Sequence, residues 1–310
     1  MIYPILLQHF INFFYRHPKS VIKRYRRFGG FINYQKMLAG RRLMEKAALH
    51  LAPGVSYADG AEVYFLTGKK YLYQTLFCIH SLVKVSSANF KFVLIDDGSF
   101  DYELLQIINR LLPGADVITQ KMVKENLARF LPQQQFAVLH QKRRVYPHIK
   151  KLTDIHTIPG NNWKLVLDSD MLFWADPVNI MKWLKNPDKP LHMKDCQNSY
   201  GYSKQLMEKL SGSQVPDAVN VGVIGLNSAQ INWTKLNEWV KTLEQEEGTS
   251  YYLEQALTAM LIGGAPAEVL PANEYIVNPD TSAIENYTGT LHHYVDLSKE
   301  GYFKKAWKAI

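Results

Sequence analysis

Short apolar runs and helical stretches alternate along most of this chain. Val63-Tyr64-Phe65-Leu66 is a β-prone run ending at Thr67-Gly68, and Tyr71 to Val83 follows with Leu72, Leu76, Ile79 and Leu82 close to helical spacing. Phe92-Val93-Leu94-Ile95 ends at Asp96-Asp97-Gly98-Ser99, and a helix over 101–112 stops at Pro113-Gly114. A third strand is expected over Ala115 to Thr119, helical material through 121–131 and again through 136–157, and a fourth strand at Lys164-Leu165-Val166-Leu167, ending at Asp168. The alternation predicts an α/β fold with a mixed, mainly parallel sheet flanked by helices. Ligands of such sheets bind beyond the carboxyl ends of the strands. Three of those ends are polar: Thr67-Gly68, Asp96-Asp97-Gly98-Ser99 and Asp168-Ser169-Asp170.

Residues 1 to about 58 read differently, as helical and basic, broken at Gly29-Gly30 and closed near Pro53-Gly54. Met1 to Tyr15 is apolar and aromatic but interrupted by Gln8, His9 and Asn12, and it is shorter than the roughly 20 residues that span a bilayer. No basic leader precedes it, and no small-residue cleavage site follows. The next residues are cationic: Arg16, Lys19, Lys23, Arg24, Arg26 and Arg27. An apolar segment joined to a basic one suits a surface-lying membrane contact. A helix packed on the back of the domain is the other reading.

Composition narrows the class. The chain has 310 residues, 47% hydrophobic, enough for one sizeable core. The net charge of +8 and pI of about 9.2 suit phosphate-bearing ligands, anionic membranes or nucleic acid. No stacking-aromatic motif accompanies the basic runs, so nucleic acid is not expected as a partner. Two cysteines, Cys78 and Cys196, give neither a disulfide framework nor a zinc spacing and fit a cytoplasmic protein.

The candidate chemistry centres on Asp168 and Asp170. Residues two apart at a strand end project to the same side, so an apolar strand here runs into two neighbouring carboxylates. Their repulsion would raise a pKa, and a divalent cation relieves it. Hard oxygen ligands suit Mg²⁺ or Mn²⁺. An isolated Asp-x-Asp is weak evidence, since caps and turns carry it too. Its position after Lys164-Leu-Val-Leu and before Met171-Leu172-Phe173 and Asp176-Pro177 is more specific.

With those neighbours the segment resembles the aspartate motif of GT-A glycosyltransferases, nearest to the retaining family of glycogenin and the bacterial lipopolysaccharide galactosyltransferases. The resemblance covers about residues 61–305 and implies a basic helical extension over 1–60 and a GT-A catalytic domain over 61–310. It implies Mn²⁺ (or Mg²⁺) on Asp168 and Asp170. It also implies a nucleotide-sugar donor, expected to be UDP-linked, whose ribose region contacts Asp168, with Ser169 among the donor-binding residues. Leu291-His292-His293-Tyr294-Val295-Asp296-Leu297-Ser298-Lys299 resembles the family's late His-(Phe/Tyr)-x-Gly-x-x-Lys segment. This makes His293 the expected third metal ligand, with His292 a neighbouring candidate, and puts Lys299 on the diphosphate. Asp296 or Val295 stands where the family has glycine.

Val219-Asn220-Val221-Gly222-Val223 resembles the strand lining the sugar pocket, with Asn220 near the transferred sugar. Tyr252-Leu253-Glu254-Gln255 resembles the Asp-Gln helix start near the anomeric carbon, Glu254 replacing the usual Asp. The resemblance places Thr67, Gly68, Tyr71 and Asp97 at the nucleotide base, and Lys151 facing the donor. The implied activity is hexose transfer to an acceptor hydroxyl on a glycan or lipid-linked molecule, with retention. An inverting reaction using Glu254 as base stays open, as does an inactive relative acting as a binding protein. A nucleotidyltransferase would need a Gly-rich loop after the first strand, which Thr67-Gly68-Lys69-Lys70 is not.

Overall fold

A computed structural model describes residues 17–310. Two helices come first, α1 (His17–Arg27) and α2 (Phe31–Ala48), separated by Gly29 and Gly30 with φ of 70° and 103°, a turn few other residues could make. The apolar segment expected to touch a membrane, Met1 to Tyr15, lies outside the described residues. Among the described residues no helix is long and apolar enough to cross a membrane. Helix α2 buries Met37, Met44 and Ala48 in the main core.

The alternating part of the chain follows. It comprises β1 (Ala61–Thr67), α3 (Leu72–Val85), β2 (Phe90–Asp96), α4 (Tyr102–Leu111), β3 (Asp116–Ile118), α5 (Gln120–Phe130), α6 (Ala137–Val145), α7 (Lys150–His156) and β4 (Trp163–Leu167). The helical stretch expected through 136–157 is split. Pro147 disfavours a helical conformation in the residue before it, and Tyr146 leaves the helical region at φ −136°, ψ 85°.

Beyond Asp170 come β5 (Met171–Phe173), α8 (Val178–Lys185), β6 (Leu191–Lys194), α9 (Lys204–Ser211), β7 (Val219–Asn227), α10 (Trp233–Glu247) and α11 (Leu253–Ile262). The chain closes with β8 (Glu268–Leu270), β9 (Tyr275–Val277), α12 (Thr281–Asn286), β10 (Leu291–His293) and α13 (Lys299–Lys304). The main sheet has the order β3-β2-β1-β4-β7-β6-β8. Only β7 runs against its neighbours, antiparallel to both β4 and β6. Two cores cover the two faces, as alternation along each strand requires. Val63 and Phe65 join Leu94, Leu165 and Leu167 on one face, and Tyr64 joins Val93, Ile95 and Val166 on the other.

A second sheet, β5-β10-β9, sets the geometry that matters. Strand β5 leaves the main sheet directly after Asp168-Ser169-Asp170, and β10 pairs with it antiparallel so that His293 lies opposite Met171. The chain's last strand is thereby laid beside its central carboxylates, 123 residues earlier.

Candidate active site

The carboxyl ends of β1, β2 and β4 converge with the end of β10. Asp168 is fixed by its amide, which donates to the Gly222 carbonyl of β7 (2.8 Å), and Asp170 by its carbonyl, which accepts from the Tyr294 amide (2.9 Å). One ligand atom each from Asp168, Asp170 and His293 lies within 4.8 Å of the others. His293 Nε2 is 3.3 Å from Asp170 Oδ1 and 3.7 Å from Asp168 Oδ2. Two carboxylates and an imidazole at such separations form a donor set that fits a divalent cation.

The other face of the imidazole decides between the two histidines. His293 Nδ1 donates to Asn220 Oδ1 at 3.0 Å. That oxygen also accepts from the Gly222 amide (2.9 Å), while the Asn220 amide group donates to Asp195 (2.9 Å), so the amide's orientation is fixed. With Nδ1 donating, Nε2 is left facing the carboxylates, the arrangement expected of a metal-ligating histidine. His292 points away, its ring bonded to the Thr288 carbonyl (2.6 Å) and the Tyr294 hydroxyl (3.1 Å). A side chain at position 222 would overlap the His293 ring, which accounts for glycine there.

Two lysines flank the carboxylates. Lys299 Nζ is 2.7 Å from Asp170 Oδ2, and Lys151 Nζ bridges Asp168 Oδ1 (2.8 Å) and Glu254 Oε1 (3.1 Å). Burial pushes the Asp170 carboxyl upward, but Lys299 and His293 outweigh it and hold the group well below the usual carboxylate range. Burial likewise favours neutral amines at Lys151 and Lys299; their carboxylate partners outweigh it, so both stay charged. Glu254 differs: burial pushes it up to about 7, with Lys151 opposing and Asp168 reinforcing the rise.

Gln255, beside Glu254 at the start of α11, donates to Asp195 Oδ2 at 3.1 Å. Asp195 therefore joins Asn220 and Gln255, and the sequence reading missed it. Its local context, Lys194-Asp195-Cys196, matches no motif; it arrives through the pairing of β6 with β7.

The residues expected at the nucleotide base form a separate wall. Thr67 Oγ1, Thr75 Oγ1 and Ser169 Oγ make a hydroxyl chain with both links at 2.8 Å, joining β1 to the aspartate segment. A Cβ on Gly68 would collide with the Asp97 carboxyl group. Asp97 is partly exposed and accepts from the Ser99 amide (3.0 Å), whereas its buried neighbour Asp96 caps the amides of Gly98, Ser99 and Phe100. Tyr71 is exposed and lies near enough to Lys299 to influence its charge. The Lys150 ammonium donates to the Asp97 carbonyl (2.6 Å), tying α7 to this wall.

The loop between His293 and Lys299 places Asp296 at φ 48°, the left-handed region that glycine occupies without strain. Asp296, rather than Val295, therefore stands in the glycine position.

No protein-family model matches the chain, and no curated protein sequence is significantly similar to it. Solved structures are. The galactosyltransferase LgtC, determined with donor and acceptor sugar analogues, superposes with a TM-score of 0.52 at 14% identity, covering 80% of this chain and 96% of that one. Mouse xyloside xylosyltransferase 1 gives 0.50 at 13% identity, covering 78% and 98%. An active-site mutant of LgtC gives 0.50 at 15% identity, covering 75% and 86%. The chain has the GT-A fold. Ligands of open parallel sheets bind beyond the carboxyl ends of the strands; Thr67 ends β1, Asp97 follows β2, and Asp168 follows β4.

Proposed function

We propose that this chain is a metal-dependent glycosyltransferase that moves a hexose from a UDP-sugar to an acceptor hydroxyl with retention of configuration. The observation that carries the reading is the convergence of Asp168, Asp170 and His293 with Lys299 beside them. Asp168, Asp170 and His293 would hold Mn²⁺ or Mg²⁺. When bound, the cation supplies positive charge to the diphosphate as it leaves.

The chain's own groups do the rest. Lys299 adds a second positive charge where negative charge develops on the leaving diphosphate. Lys151 holds Asp168 in place through their ion pair. Asn220 fixes the His293 tautomer, and with Gln255 and Asp195 forms the polar wall that orients the sugar. Thr67, Gly68, Tyr71 and Asp97 receive the base, Asp168 contacts the ribose, and Ser169 lies between the two aspartates on the donor side. Glu254, buried against Lys151 beside Gln255, is placed to orient the sugar.

Incubation of the protein with a panel of UDP-sugars, with and without Mn²⁺, tests the proposal. Metal-dependent release of UDP from one donor, abolished in Asp170→Ala, is expected. Metal-independent release, or full activity in Asp170→Ala, would refute it. The acceptor is read as a glycan or lipid-linked molecule at an anionic membrane surface. Exposed Ile22, Phe31 and Ile32 beside Lys23, Arg24 and Arg26 support that contact. Co-sedimentation with anionic but not neutral vesicles is expected, and its loss in Phe31→Glu checks the surface.

A further inference from the structure

Lys299 is the first residue of α13, a helix of only six residues. So short a helix cannot hold its own position, and its placement depends on what packs against it. On the inner side Tyr302 stacks on Tyr294 with ring centroids 4.6 Å apart. On the outer side lies α2. Gly40 of α2 meets the backbone of Phe303 so closely that a Cβ would overlap it.

Asn33 is the hub of this contact. Its amide group donates to the Phe28 carbonyl (2.8 Å) and to Glu300 Oε1 (2.7 Å). Lys304 Nζ donates to Asn33 Oδ1 (2.7 Å) and to Glu300 Oε1 (2.9 Å). One half-buried amide thus ties the α1–α2 turn to both ends of the α13 surface. A second tie reaches the loop itself, where Arg27 at the end of α1 ion-pairs with Asp296. Asp296 is the left-handed residue midway between His293 and Lys299. An exposed ion pair stabilises little by itself. Here it restrains a backbone conformation that a residue with a side chain adopts only under strain.

We propose that the α1–α2 hairpin positions Lys299 and the loop before it, making Asn33 and Arg27 positioning residues for diphosphate binding. This rests on the reading of Lys299 as a diphosphate ligand. Truncating Asn33 frees α13 to tilt, and the long Lys299 side chain then spends less time where the diphosphate needs it. Truncating Arg27 releases Asp296 toward unstrained conformations and changes the path of the loop.

Two measurements on the full chain test this: calorimetric binding of UDP in the presence of Mn²⁺, and amide hydrogen exchange across 295–304. Asn33→Ala is expected to raise the UDP Kd roughly fivefold, the scale of losing a small set of hydrogen bonds, and to speed exchange in 295–304 while leaving the β1, β2 and β4 amides as they were. Arg27→Ala is expected to raise Kd about twofold. That effect disappears when it is combined with Asp296→Gly, because glycine takes the left-handed conformation without restraint. The Arg27 and Asp296 cycle stands as the test should Asn33→Ala fail to fold.

Lys299→Ala separates the two layers of the argument. If it weakens UDP binding while Asn33→Ala and Arg27→Ala bind as the wild type does, the positioning role is overturned and the site reading survives. Faster exchange with unchanged Kd also overturns it, leaving a purely structural contact. If Lys299→Ala itself binds UDP normally, the reading of Lys299 fails and the positioning role falls with it.

Discussion

Replacing Glu254 with glutamine should make the metal-free protein more stable at alkaline pH while making it a poorer catalyst. Glu254 is buried beside Asp168, and its carboxyl is pushed up to about 7, from 4.5 in an unfolded chain, with Lys151 only partly offsetting burial. The folded state therefore holds a proton that the unfolded state has released between those two values. Stability must then fall as pH rises from about 4.5 to about 7 and level off above. For one group shifted this far, the loss between pH 5 and pH 8 is roughly 2–3 kcal/mol. Glutamine keeps the shape and an acceptor for Lys151, which also keeps Asp168 as its ion partner, but it cannot ionise. The assay is thermal or urea unfolding of both proteins at pH 5 and pH 8 with metal chelated. The difference between them should widen by roughly 2–3 kcal/mol toward pH 8, on the order of 4 °C in Tm for a chain of this length. UDP-sugar turnover should meanwhile fall in Glu254→Gln. Parallel stability profiles for the two proteins would refute the claim that burial, rather than the Lys151 pair, governs this carboxylate.

Other substitutions probe the remaining parts of the site. Gly222→Ala inserts a methyl into the His293 ring. It should weaken Mn²⁺ binding by about tenfold, on the scale of disturbing a ligand's support, with circular dichroism unchanged; normal Mn²⁺ affinity would contradict the placement of His293. His293→Ala should lose metal-dependent UDP binding, whereas His292→Ala, whose ring serves Thr288 and Tyr294, should lower Tm and leave Mn²⁺ affinity intact; the reverse pattern in calorimetry would exchange their roles. Asp195→Ala removes the acceptor shared by Asn220 and Gln255 and should lower kcat by about 10²-fold, as for lost positioning near a reacting centre, with the UDP Kd little changed; steady-state kinetics beside UDP titration decides.

The sequence showed some parts of this site plainly and hid others, for physical reasons. Asp168 and Asp170 were legible because a buried strand running into two acids leaves a mark within one short segment. The alternation of strands and helices was legible for the same reason: its period is local. The helical material expected through 136–157 is present but broken at Tyr146, because Pro147 acts on its neighbour's backbone. The motif put His293 in the ligand position but left His292 a candidate, and separating the two rings takes tertiary structure. Both are buried, and only the antiparallel register of β10 against β5 tells which ring faces the acids. Asp195 had no local signature, since its partners sit 25 and 60 residues away. The left-handed Asp296 was hidden as well, because a motif that expects glycine does not say which substitute bears the strain.

The central claim is that Asp168, Asp170 and His293 close on one divalent cation. Crystals grown with Mn²⁺ and UDP, measured at the manganese absorption edge, test it most directly. One anomalous peak is expected about 2.1 Å from an oxygen of each aspartate and from His293 Nε2, as small divalent cations require, with the diphosphate between that peak and Lys299. A UDP-bound structure with no peak at these three side chains, or with the metal held elsewhere, would contradict it.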